Sequence, residues 1–425
     1  MNRDLCLCLA ALCAAFGLRA QTAPSSVDDL VQNALERNRE LLAARQRLAE
    51  AQALLRQAGV RPAPAIEVNG ASGRPLGAVG EADFSVGYFQ PVETYGKRAK
   101  RVRVAEVSVG LAEAELAERI RQITFDVKTR FIDAVSERWK LEALDRLVKV
   151  NRESYQMTEF RVRQGDAAPL EGQLLLVELN RTEAERATTI GRAQTALLEL
   201  RTLIGGADSL VLKEDLDLKR RGFAFDELRQ RALRSRPDLR VARLLEQQGE
   251  AEVELAEAQA RPDLTLSAQY QLRRSQFEDP IRRTETGSHL PLRDRDNILA
   301  FGVSIPVLNR SRNLGNIEAA VARARSARLR REHLESVILL EVEATWRRWE
   351  AAMRALEVFN RGVVGQSERN LEIIRQAYSL GQLRLLDVLN EQRRLIDTEM
   401  IYFDARAEAA RAFAELERAV GGDLR

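Results

Sequence analysis

Two kinds of hydrophobic spacing alternate along this chain, and each kind occurs twice. Leu116, Ile120, Ile123, Val127 and Phe131, then Ala134, fall three and four residues apart. Val342, Trp346, Trp349, Met353, Leu356 and Val363 do the same, with Asn360 filling one seam position. Such stripes mark the buried face of a helix. Prolines at 24, 62, 64, 75, 91, 169, 237, 262, 280, 291 and 306 leave Val92 to Ala168 and Val307 to the end free of breakers. A proline inside a helix costs ~3 kcal/mol, so both stretches are free to run helical. The predicted helices, residues ~97 to ~164 and ~312 to ~380, would each reach about 100 Å. Each stops at a glycine, Gly165 or Gly381. A second helix then returns, over about 169–204 and 385–420. Asp28 and Asp226 are the N-cap candidates for the helices that open each half.

Between the opening helix and the long helix of each half, the period falls to two. Leu264, Leu266, Ala268, Tyr270 and Leu272 alternate with Thr265, Ser267, Gln269 and Gln271; Leu299, Phe301, Val303 and Ile305 alternate with Ile298, Ala300, Gly302 and Ser304. In the first half Ile66 and Val68 alternate. Phe84, Val86 and Tyr88 alternate with Ser85 and Gly87, and Phe89 blurs that face. The predicted strands cover about 64–72, 82–91, 263–273 and 297–306, close to the ~9–11 residues that span a bilayer when tilted. Any one of them reads equally as a half-buried strand of a soluble sheet. Four such strands beside helices too long to pack on so small a sheet favour the membrane. Four strands cannot close a conducting barrel, and open edges are not tolerated in lipid. The chain therefore needs strands from other subunits, and a trimer would supply twelve.

The alternation reflects a duplication. Leu30, Ala34, Leu35 and Leu41 return ~198 positions later as Leu228, Ala232, Leu233 and Leu239. Arg61-Pro62 returns as Arg261-Pro262, Pro91-Val92 as Pro306-Val307, Gly165 as Gly381, and Ile204-Gly205 as Val420-Gly421. A spacing of ~200 is too long for a solenoid repeat. One large helix–strand–strand–long helix–helix unit occurs twice, over residues 21–205 and 206–425, in a mainly α chain with a small β portion. The second copy carries a longer polar insertion, Arg273 to Asn297, expected as an extracellular loop.

Composition adds an address and removes some partners. Of 425 residues 30% are charged and 5% aromatic, as in long helices or coiled coils. The 66 basic and 63 acidic residues are interleaved and nearly cancel at +3, which excludes a nucleic-acid footprint. Leu5 to Leu18 is an apolar run followed by Leu18-Arg19-Ala20, so residues 1–20 resemble a secretory signal peptide cleaved after Ala20. All three cysteines lie in that segment; Leu12 before Cys13 is too large for a lipidation signal. After residue 20 no run of 18 apolar residues exists, but a closed β-barrel gives a weaker signal.

With these elements in place the chain resembles the TolC-like outer-membrane efflux family over nearly all of its mature length. Gln90-Pro91-Val92-Glu93-Thr94-Tyr95-Gly96-Lys97-Arg98 resembles the cobalt–zinc–cadmium branch, as do Ile305-Pro306-Val307-Leu308-Asn309-Arg310 and Gly315-Asn316-Ile317. The resemblance implies a homotrimer: a twelve-stranded β-barrel set in outer-membrane lipid, continued by a periplasmic α-helical barrel. It also implies two partners, a periplasmic adaptor (membrane fusion) protein and an inner-membrane resistance–nodulation–division pump. The expected place is the outer membrane of a Gram-negative bacterium, reaching into the periplasm.

The family closes its periplasmic end with a gate. By resemblance Asp387 matches the first gate aspartate, and Asn390 stands where the second would be. Tyr378 matches a tyrosine that holds the gate closed, and Glu171 matches its acidic partner. A bracing arginine would align with Leu383, beside Arg384. The repeat bears on the same point independently, since Glu171 and Asp387 are ~216 apart and both lie six residues past a tip glycine. In a trimer they would ring one opening with six carboxylates, and crowded like charges favour cations between them. Equally, each reads as a solvated acid in the first turn of its helix, favoured by the macrodipole.

Other chemistry is not expected. His289 and His333 have no neighbours at ligand spacing, so no metal site or cofactor is expected. Gly205-Gly206 and Gly421-Gly422 read as helix terminators rather than phosphate cradles. Lys97 to Arg103 read as the junction of helix and membrane interface. No nucleophile–base pair suggests an enzyme. The leading expectation is an exit duct of a tripartite efflux system, with heavy-metal cations as one candidate cargo. The alternatives are a type I secretion duct and a non-conducting periplasmic coiled-coil scaffold.

Overall fold

A computed structural model describes residues 25–76, 80–206, 210–213, 216, 222–287, 289–307 and 313–424. The expected signal peptide and the Leu308-Asn309-Arg310 part of the second motif lie outside the described residues. The elements run α1 (Val27–Arg37), α2 (Arg39–Ala58), β1 (Ala65–Ser72), β2 (Ala82–Val92), α3 (Lys97–Gln164) and α4 (Pro169–Leu203). The second half repeats them as α5 (Phe225–Ser235), α6 (Pro237–Gln259), β3 (Leu264–Arg283), β4 (His289–Ser304), α7 (Leu314–Asn360), α8 (Val363–Ser379) and α9 (Leu385–Val420). The fold is mainly helical with one small sheet. No described helix is long and apolar enough to cross a membrane.

Each opening helix is two helices, where the apolar pattern predicts one. Asn38 and Arg236 hold nearly the same extended conformation, φ −64, ψ 122 and φ −67, ψ 121. The Asn38 side-chain amide donates to the Leu203 carbonyl at 3.0 Å, while its Oδ1 accepts from the N–H of Glu40 and of Leu41 and so starts α2. Arg236 donates to the Ala419 carbonyl at 3.0 Å and to Glu341 at 2.6 Å. Leu203 and Ala419 are themselves repeat positions, so two different side chains close the end of the returning helix in the same way. The caps also differ from expectation. Ser26, not Asp28, caps α1, in a reciprocal box with Asp29; Ala224 precedes α5 with no side-chain cap, leaving Asp226 in the first turn.

The chain divides into two compact units. The helical unit comprises residues up to 45, 116–237 and 335–425. Its core gathers Leu30, Ala34, Leu41, Ile123, Val127, Phe131, Val135 and Leu200, all at most 2% exposed. Repeat positions are buried alike: Leu41 and Leu239, Ile123 and Ile338, Val127 and Val342, Leu200 and Leu416. Burial of each such side chain stabilises by ~1.5–3 kcal/mol. Trp349 is buried against Phe223 and Phe413, and Trp346 lies on Phe225, so both tryptophans are packing residues.

The second long helix is interrupted, where one continuous rod is expected. Ile123 and Val127 match Ile338 and Val342 at an offset of 215, but Gly165 matches Gly381 at 216. The second half thus carries one surplus residue between those points. A helix turns about 100° per residue, so a surplus residue would rotate everything after it off its face. The chain discharges it at Gly362, φ 107, where the N–H reaches only to the Phe359 carbonyl before the regular ladder resumes at Gln366. Only glycine takes this left-handed geometry without strain. Val363, expected on the stripe, begins α8 and is partly exposed.

The second unit, residues 46–115 and 238–334, holds the sheet. Its strand order is β1-β2-β3-β4, all antiparallel, with β1 and β4 at the edges. β3 and β4 are much longer than the apolar alternation predicts. Arg273 to Asn297 is not a loop but paired strand around a short turn, and His289 opens β4. Backbone pairing does not require apolar side chains, so the ladder continues where the hydrophobic signal ends. Lys97, Arg98, Lys100 and Arg101, at the start of α3, donate to carbonyls of Arg261, Gly59, Glu254, Ala58 and Val60. That basic run closes the carbonyl ends of α2 and α6.

The register fixes the faces of the sheet. Ile66 and Val68 pair with Tyr88 and Val86; Phe84, Val86 and Tyr88 pair with Leu272, Tyr270 and Ala268; those in turn meet Asn297, Leu299 and Phe301. One face is therefore apolar across all four strands. Burial is inverted relative to a soluble sheet: Ile66, Leu299 and Phe301 are 72%, 63% and 77% exposed, whereas Ser85 on the polar face is 7%. Phe89 lies on the polar face, its ring against Gly87, where an added Cβ would stand 2.7 Å from it.

Candidate functional site

The two hairpins end in the same backbone device. Gly165 and Gly381 take φ 83 and 73. In the first, Gly165 N–H donates to Val162 O and Asp166 N–H to Arg161 O; in the second, Gly381 donates to Tyr378 O and Gln382 to Ala377 O. Every one of these residues pairs with its counterpart at an offset of 216. The left-handed glycine lets the chain double back while the last carbonyls of the helix stay satisfied.

The returning helices start alike and then diverge. Glu171 and Asp387 both occupy the third helical position, and each N–H donates to the carbonyl of the residue before the helix. Asp387 turns one carboxylate oxygen back to the Arg384 N–H at 3.0 Å, capping its own helix. Glu171 instead accepts the Tyr378 hydroxyl at 3.2 Å, across 207 residues of chain. The reason lies in the repeat: Tyr378 corresponds to Val162, which has no hydroxyl to offer Asp387. Burial, reinforced by the Glu171 charge, pushes the Tyr378 hydroxyl above its ordinary range, with Arg161 opposing. It therefore stays protonated and remains a donor.

An apolar knot fixes this contact. Leu175, Leu385 and Leu389 are buried together, with Tyr155, Leu174 and Tyr378 packed on them. Beneath it runs a buried polar chain that the hydrophobic pattern does not disclose. Gln392 donates to Asn151 at 2.7 Å, and Asn151 donates to Thr182 at 3.1 Å. Beside it Arg393 pairs with Glu178 at 2.6 Å. A signal existed: Leu144, Val148, Asn151, Tyr155 and Thr158 keep the spacing of a buried stripe, so Asn151 had to be a satisfied core amide. Of the expected gate residues, the fold brings Glu171 and Tyr378 together and half-buries Asp387. Arg384 and Asn390 are exposed. Among the described residues of one chain neither the Arg384 guanidinium nor the Asn390 amide has a side-chain partner.

The site, the sheet and the repeat can be set beside known proteins. The protein-family model described as outer membrane efflux protein matches residues 30–206 and 228–422, one stretch in each half. The chain is 23% identical over 406 residues to the cobalt-zinc-cadmium resistance protein CzcC of Cupriavidus metallidurans, covering 95% of this chain and 91% of that protein. Among solved structures it is similar to CusC, with TM-score 0.75 and 18% identity, covering 93% and 92% of the two chains. It is likewise similar to the Campylobacter jejuni CmeC outer membrane channel, with TM-score 0.75 and 14% identity over 93% and 85%. At these identities the structural likenesses establish the fold. With both halves matched by the family model, the chain belongs to the outer membrane efflux protein family.

Proposed function

We propose that three copies of this outer-membrane efflux protein close their sheets into one twelve-stranded barrel, continued into the periplasm by the helices. The observation that carries this reading is the inverted sheet, with an exposed apolar face, a partly buried polar face, and two unpaired edges. In hydrocarbon an unpaired edge leaves backbone groups unsatisfied at several kcal/mol each, so β1 and β4 must pair with a neighbouring copy. The duct takes cargo from an inner-membrane resistance–nodulation–division pump through a periplasmic adaptor. The similarity to a cobalt-zinc-cadmium resistance protein supports heavy-metal cations as that cargo. Purified mature protein should need detergent, run as a trimer and conduct in planar bilayers. A well-folded monomer in plain buffer would overturn the barrel and favour a scaffold.

In this reading the hairpin ends form the periplasmic gate, with Tyr378 and Glu171 latching it and Asp387 adding charge. Asp387→Asn with Glu171→Gln removes the charges but keeps a helix cap and an acceptor for Tyr378. Cation block and cation selectivity in single-channel recordings are expected to weaken several-fold. Unchanged block would make both carboxylates ordinary helix-start acids. Tyr378→Phe removes a hydrogen bond to a charged acceptor, ~1.5–3 kcal/mol, and should raise leak through the closed duct at least several-fold. Antibiotic uptake equal to wild type would count against the latch.

A further inference from the structure

β3 and β4 continue together beyond the last rung that β2 shares with β3, Ala82 with Arg274. On the apolar face the β3–β4 rungs run Leu266 with Val303, Ala268 with Phe301, Tyr270 with Leu299 and Leu272 with Asn297. The next two are Arg274 with Arg295 and Gln276 with Arg293. Three arginines thus lie directly past the apolar band, on its own face, at the end of the sheet away from the helices. Opposed residues on one face lie ~5 Å apart, and the next rung on that face lies ~7 Å along, so the three guanidinium groups share one small surface. All three side chains are exposed.

Like charges directly opposed across strands are destabilising unless something answers them. On the opposite face the charges are answered within the protein: Arg273 opposes Asp296 and lies 3.6 Å from Asp83. On the apolar face no described carboxylate pairs with Arg274, Arg293 or Arg295. We propose that Arg274, Arg293 and Arg295 form a binding site for the phosphate groups of a phosphorylated lipid head group, in the leaflet at that end of the barrel. Guanidinium forks match phosphate oxygens in pairs, and the position one rung past the apolar band is the depth of head groups. The proposal rests on the membrane-barrel reading above.

The test uses the full-length mature protein in phosphatidylcholine vesicles with and without phosphorylated lipid A, with lipid retention read by native mass spectrometry. Wild type should retain lipid A selectively. Each arginine is worth ~1 kcal/mol near a charged surface, so Arg293→Gln should weaken retention roughly fivefold, and Arg274→Gln with Arg293→Gln and Arg295→Gln about a hundredfold. Arg273→Gln, on the other face, should retain lipid as wild type does. Equal retention by the triple variant overturns the site. Full displacement of lipid A by inorganic phosphate overturns the lipid as its occupant. Failure of wild type to enter phosphatidylcholine vesicles at all overturns the barrel, and the lipid site with it.

Discussion

Lys128→Met is expected to destabilise the helical unit by about 3–5 kcal/mol at neutral pH, with a loss that shrinks as the pH falls. Lys128 Nζ lies 2.5 Å from Glu417 Oε2, and the two side chains are 14% and 6% exposed. Glu417 Oε1 also accepts the Leu424 N–H at 3.2 Å. Burial pushes the Glu417 carboxyl above its usual range, and a hydrogen bond with Asp423 adds to this, while Lys128 and the Leu424 N–H hold it down. Removing the ammonium leaves a buried carboxylate facing a thioether. A carboxyl whose folded pKa lies above its unfolded value holds more protons when folded, so its contribution to stability falls as the pH rises through the folded value. The variant strengthens that dependence, because protonation is then the main relief available to Glu417. Thermal unfolding of detergent-solubilised wild type and variant at about pH 8 and about pH 5 reads both parts. An equal loss at the two values would mean that Glu417 does not change its protonation between them, and would overturn the pH dependence. Adding Glu417→Leu to Lys128→Met should recover most of the loss.

Gly421→Ala and Gly205→Ala are expected to cost ~2–4 kcal/mol each, well above an ordinary surface substitution. These are the repeat-related glycines at the ends of α9 and α4, with φ 96 and 82. An L side chain in that region carries ~1–2 kcal/mol of strain. The added Cβ at Gly421 would stand 3.0 Å from Arg236 N and from Ser235 Oγ; at Gly205 it would stand 2.8 Å from Arg37 Cβ. Both collisions fall on the extended joints that divide the opening helices, where Asn38 and Arg236 are held by their carbonyl partners. Gly206 supplies the control: its φ is 83 but an added Cβ meets nothing within 4 Å. Gly206→Ala should show the strain alone. Equal melting shifts for Gly205→Ala and Gly206→Ala would show that the close approach at the joint contributes nothing.

The sequence discloses what the periodicities and breakers control, and misses what single residues absorb. α3 ends at Gly165 as the proline-free stripe predicts. The interruption at Gly362 is read through because a lone glycine in a helix costs only ~1 kcal/mol, too little to outweigh the stripe. At Arg236 the signal was present, since Pro237 pushes the residue before it out of helical geometry. At Asn38 it was nearly silent, because Arg39 stands where the proline would be, and only the amide's capping capacity hinted at a break. The charged rungs from Arg273 to Asn297 carry no hydrophobic alternation, although their backbones pair as strands do. At the hairpin ends, the repeat located Glu171 and Asp387, and the family resemblance singled out Tyr378. Their different bonding depended on Val162, a position with no chemistry of its own to draw notice.

The left-handed joint at Gly362 has a geometric consequence. The hydrogen-bond ladder of α7 ends at Gly362 and restarts at Gln366, so α8 takes a rotational phase of its own. The aim of the Tyr378 hydroxyl is therefore set by α8 and the leucines it packs on. In the first half no such break interrupts α3, which is one helix from Lys97 to Gln164. The first long helix keeps one continuous ladder from Lys97 to Gln164, whereas its counterpart in the second half sets its phase twice, once on each side of Gly362.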